Sequence, residues 1–177
     1  MLKAVYTDPN LELYNLLCLI TFVCVGGFYY YTFHSLLKKW LVIILGFFHA
    51  GYYVVGNFYY SPEVFDSTGF VFLSFSMVVL AFMYLQQILT NVTEEPLSHN
   101  FSFWFVSGQL VYYLGSFFIF LTYGYFTRKL LTSNEYSIEN RIYLSGLWHT
   151  HNVLLFLVSL IISGGILWTY YRRKLPS

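Results

Sequence analysis

"WHTHNVLLFLVSLIISGGILWTYY", residues 148–171, decides the fold. It carries no Asp, Glu, Lys or Arg. It also exceeds the roughly 20 apolar residues with which a helix crosses about 30 Å of hydrocarbon. A spanning backbone must satisfy its own hydrogen bonds, and a helix does so. Two histidines stand one residue apart at the head of the stretch. They either hold a metal or a haem, or are polar residues packed inside a membrane bundle.

The pattern recurs along the chain. Charge-free stretches cover residues 13–37, 40–62, 67–93, 96–127 and 142–171. Each is long enough to span, and none shows the alternating ten-residue pattern of β-barrel strands. The expected fold is an all-α integral membrane protein, a five-transmembrane-helix bundle. Its helices are expected near residues 12–36, 39–60, 67–91, 101–127 and 144–171, in a single membrane domain of residues 1–177. The connections are "LLKKW" (36–40), read as a tight turn, "YYSPEVFDS" (59–67), "TNVTEEPLSHN" (90–100) and "TRKLLTSNEYSIENR" (127–141).

Composition agrees. Hydrophobic residues make up 58%, aromatics 23% and charged residues only 10% of the 177 residues, against about 25% charged in soluble domains. The net charge of +1 gives no basic field for nucleic acid. The expected partners are therefore the lipid bilayer and either other membrane subunits or a second copy of the chain. Cys18 and Cys24 lie too far apart on one helix to form a disulfide and read as small buried hydrophobes. The first twelve residues carry Lys3, Asp8 and Glu12, and the run behind them is too long for a signal-peptide core.

Five spans put the termini on opposite sides. Lys38, Lys39, Arg172, Arg173 and Lys174 share one side, and Lys3, Arg128, Lys129 and Arg141 the other. The positive-inside rule makes the first side cytoplasmic, with the N-terminus outside and the C-terminus inside. Asn91 and Asn100 begin glycosylation-type sequons on that same side, which makes them chance matches.

No span interior holds an acid or a base. That argues against pumps, ion-coupled transporters and voltage sensors, and it leaves no paired carboxylates for acid–base hydrolysis. The chain is expected to be non-enzymatic, with no metal site. Positions i and i+2 of a helix point about 200° apart, so His149 and His151 cannot clamp one metal. The remaining alternative is a b-type haem, with or without quinone, held by His49 and His151 at similar depth. The plainer reading is that His49, His151 and Asn152 face the bundle and hydrogen-bond across helices. On it, Gln109, Tyr112 and Tyr113 are the expected partners of His151, and His149 lies on a more exposed face. Gly46 with Ala50, Gly108 with Gly115, and Ser159 with Ser163 mark close helix approaches, within the bundle or between copies.

The string "LSHNFSFWFVSGQLVYYLGSFFIFL", followed by "LWHTHNVLLFLVSLIISGGILW", resembles a group of Bacteroidota sensor-type membrane modules. The matching positions are Phe103, Trp104, Gly108, Leu110, Tyr112 or Tyr113, Gly115 and Phe117, then Leu147, Trp148, His151 and Leu154. Some members of that group precede a cytoplasmic histidine kinase and others stand alone. The resemblance implies a multi-pass protein of the bacterial inner membrane. It also implies a sensor-like module or accessory subunit, here expected without a kinase after "YYRRKLPS".

Overall fold

The computed structural model describes residues 11–58, 67–90, 96–133 and 138–174. Among these residues five α-helices run in chain order: α1 (Leu11–Thr32), α2 (Leu36–Phe58), α3 (Thr68–Thr90), α4 (Phe101–Ser133) and α5 (Ile138–Lys174). A 3-10 turn, Leu97–His99, leads into α4. All five α-helices are long and apolar enough to cross a membrane. The protein is an all-α, multi-pass membrane bundle. The first ten residues, the Asn91 sequon and most of the acids expected in the connections (Glu63, Asp66, Glu94, Glu95 and Glu135) lie outside the described residues.

α3 is the central helix. It packs against α1, α2 and α4, whereas among the described residues the backbone of α5 approaches only α4 and the short turn before it, and Trp148 of α5 meets Tyr14 of α1 edge-on at 6.2 Å. Small side chains let α3 be surrounded: Gly69, Ser74, Ser76 and Ala81 are buried along it, between Leu73, Met77, Leu80 and Tyr84. The main core joins residues of this helix to Phe22 and Tyr29 of α1, to Phe33 just after α1, and to Val106 and Tyr113 of α4. The outer surface is apolar; Phe47 is 75% and Phe156 62% exposed. Side chains of that size on every outer face belong in hydrocarbon.

Three features differ from the sequence expectation. α1 ends at Thr32 rather than near residue 36, and the turn is residues 33–35, so "LLKKW" is already helix. The Ser35 carbonyl accepts the first bond of α2, from Lys39 N–H at 3.2 Å. The turn is held from α3: Gln87 Nε2 donates to the Thr32 carbonyl at 3.0 Å, and the His34 N–H donates to Gln87 Oε1 at 3.2 Å. Lys38 Nζ adds a bond to the Met83 carbonyl at 2.8 Å. The third difference is the expected long connection 127–141, which is largely helix. α4 continues to Ser133 and α5 begins at Ile138. Arg, Lys, Leu and Glu are good helix formers, and these ends extend past the bilayer: 33 and 37 residues rise about 50 and 55 Å.

Cys24 is exposed on the bundle surface and only Cys18 is buried, which corrects the reading of both as buried. Position 24 faces away from the contacts that α1 makes with its neighbours, where a small thiol is at home in lipid.

Candidate functional site: two histidine–hydroxyl contacts inside the bundle

Histidines 49 and 151 are both buried, in different helix interfaces. On α2, His49 lies between the rings of Phe22 from α1 and Phe72 from α3, each with centroids 4.4 Å away. Its Nε2 is 3.3 Å from Ser76 Oγ. The Ser76 hydroxyl proton goes to the Phe72 carbonyl at 2.9 Å, so the serine oxygen accepts from His49 Nε2–H. That places a proton on Nε2.

On α5, His151 bridges two hydroxyls of α4. Its Nε2 is 3.3 Å from Tyr112 Oη and its Nδ1 is 3.3 Å from Ser116 Oγ. A neutral imidazole donates through one nitrogen and accepts through the other, and either hydroxyl can complete the pair. Phe120 lies 4.8 Å and Trp148 5.9 Å from the imidazole, centroid to centroid. His149 points out of the bundle, and its Nδ1–H donates to the Ser145 carbonyl at 2.7 Å.

A seam of glycines seats α5 on α4. A β-carbon on Gly108 would meet Ile162 at 2.6 Å and Val158 at 3.5 Å; one on Gly115 would strike Leu154. In return, Gly165 on α5 receives Trp104 of α4, whose indole N–H is tied to the Ser98 carbonyl at 2.9 Å. Leu144, His151, Val158 and Gly165 are buried at a spacing of seven, as befits a helix that runs along α4. Gly108 and Gly115 thus serve packing within the chain. Ser159 and Ser163 lie on the exposed side of α5, away from this seam. Gly46 faces Phe22, whose ring would sit 3.3 Å from an added β-carbon, and Ala50 is half-buried one turn on.

Two expected contacts are absent. Asn152 is exposed rather than turned into the bundle. It follows His151 by one residue, about 100° around the helix, and α5 buries only a narrow stripe. Gln109 does not reach His151, and its Oε1 is buried without a protein partner. At that level α4 faces Val158 and Ile162, which offer no donor. Gln87, which closes the α1–α2 turn, carried no signal in the sequence beyond being polar in an apolar span.

The pair expected to ligate haem is not brought together. His49 belongs to the α1–α2–α3 interface and His151 to the α4–α5 interface, and among the described residues the backbone of α2 does not approach α4 or α5. Phe22 stacks on the His49 ring and Phe72 lies tilted against it, and each Nε2 is directed at a hydroxyl. The residues present do not fit a bis-histidine haem. Among the described residues, no three His, Cys, Asp or Glu side chains converge as a metal site. Neutral imidazoles bonded to hydroxyls, with no carboxylate among these contacts, join helices. The sequence matches no protein-family model and no curated protein, and the fold matches no solved structure.

Proposed function

We propose that the chain is a non-enzymatic module of the bacterial inner membrane, a sensor-like unit or an accessory subunit of a larger membrane complex. The observation that carries the reading is the attachment of α5. It is joined mainly to α4, by the glycine seam and the contacts of His151 with Tyr112 and Ser116, with Trp148 edge-on to Tyr14 of α1. Neutral bonds of this kind contribute about 0.6 kcal/mol each in a membrane, so such a helix can shift against its neighbour. α5 is also the longest helix and ends in Arg172, Arg173 and Lys174, where movement within the bilayer would reach the surface. The resemblance of α4 and α5 to sensor-type modules supports the same reading, as does an N-outside, C-inside orientation. No bound cofactor is part of it.

Native mass spectrometry in mild detergent, after cross-linking in cells, tests the proposal. The expected result is a stable assembly with another membrane protein or with a second copy. Recovery only as a lone monomer would remove the subunit reading. A haem α-band in the reduced-minus-oxidised spectrum of the fresh protein would replace it with a redox one.

A further inference from the structure

A cleft of about 590 Å³ opens between the start of α3 and the last membrane-embedded turns of α4. Its walls differ along their length. Val71, Phe120 and Leu121 form an apolar floor, and Leu121 is 49% exposed, so the floor continues onto the surface that faces lipid. Ser67 and Thr68 supply hydroxyls at the upper end, and Arg128 and Lys129 supply two cations. The cations follow the apolar part of α4 directly and the hydroxyls begin α3, so both sit at headgroup depth.

Gly124 keeps the cleft open. A β-carbon there would lie 2.6 Å from Ser67 Oγ, so any larger residue would push against the α3 side of the cleft. Arg128 is held over the cleft by donating Nη2–H to Thr68 Oγ1 at 3.3 Å. Both cations have further interactions of their own, and a ligand would join or compete with these.

From this arrangement we infer that the cleft binds one anionic glycerophospholipid, its phosphodiester at Arg128, Lys129 and the Ser67–Thr68 hydroxyls and an acyl chain along Phe120 and Leu121. Two features favour a lipid over a soluble anion. The floor is apolar and opens sideways toward hydrocarbon, where a free phosphate gains nothing. The cations stand at one end only, matching a molecule that is charged at one end and greasy at the other.

The test uses the full chain in mild detergent, read by native mass spectrometry and thermal melting. The probes are short-chain phosphatidylglycerol, short-chain phosphatidylcholine and inorganic phosphate. We expect phosphatidylglycerol to be retained and to raise the melting temperature, with little effect from the other two. Arg128→Gln and Lys129→Gln should each weaken retention about tenfold, the scale of one charge-assisted hydrogen bond. Arg172→Gln, a cation from the opposite membrane face, should leave it unchanged. Gly124→Leu should abolish it by filling the cleft, and its melting curve without lipid shows whether the bundle still forms. Equal retention of phosphatidylcholine, binding of inorganic phosphate alone, or full retention by the Arg128→Gln/Lys129→Gln double variant would each overturn the proposal.

Discussion

Gln87 closes the turn at His34 across the bundle: its side-chain oxygen takes the His34 backbone N–H at 3.2 Å while its amide donates to the Thr32 carbonyl. One buried amide on the central helix thereby satisfies two backbone groups that the tight α1–α2 connection would otherwise leave unpaired. Replacing Gln87 by Leu keeps the bulk and removes both bonds. The expected loss is about 2 kcal/mol, since backbone groups left buried without partners cost about 1–3 kcal/mol. Melting in one detergent checks this, and an unchanged midpoint would show that water can take over the turn.

The two histidines of "WHTHN" should behave differently. His151→Leu removes both bonds to α4 and leaves Tyr112 and Ser116 facing an apolar side chain, at a cost of about 1–2 kcal/mol. His149→Leu loses only a bond within its own helix on an exposed face and should be nearly silent. A double-mutant cycle between His151→Leu and Tyr112→Phe should show coupling of about 0.6 kcal/mol. Equal melting of the two single variants would mean that His151 does not anchor α5.

Adjacent glycines on α5 provide a sharper test of the seam. Gly165→Ala would drive a methyl group into Trp104, whereas nothing lies near a β-carbon on Gly164. Gly165→Ala should cost about 1–3 kcal/mol through overpacking, and Gly164→Ala should be neutral or slightly stabilising by helix propensity. Thermal melts of the pair decide, and a larger loss for Gly164→Ala would put the α4–α5 interface on the wrong face of α5.

The proposed orientation makes a separate prediction. In a variant lacking Cys18 and Cys24, an impermeant thiol reagent should label Thr7→Cys in intact cells and leave Ser177→Cys untouched until the membrane is opened. The reverse pattern would invert the bundle and put the cleft beside Arg128 on the cytoplasmic side.

By itself the sequence determined the number and kind of elements. A charge-free apolar run of membrane length has one stable form in lipid, and five such runs separated by charged connections leave no other architecture. It also determined that His149 and His151 point to opposite sides, because helical periodicity is local geometry. The tertiary structure decided everything that depends on which helix meets which. All five spans are apolar on every side, so hydrophobicity does not distinguish a lipid-facing residue from a buried one. The centre of the bundle therefore falls to the helix with the small residues Gly69, Ser74, Ser76 and Ala81, and edge places fall to α2 and α5. For the same reason the structure alone could separate His49 from His151 into two interfaces, turn Asn152 outward and assign the turn to Gln87. A polar side chain in lipid takes whichever partner the packing brings within 3 Å or so, and that choice is set by contacts between residues far apart in the chain.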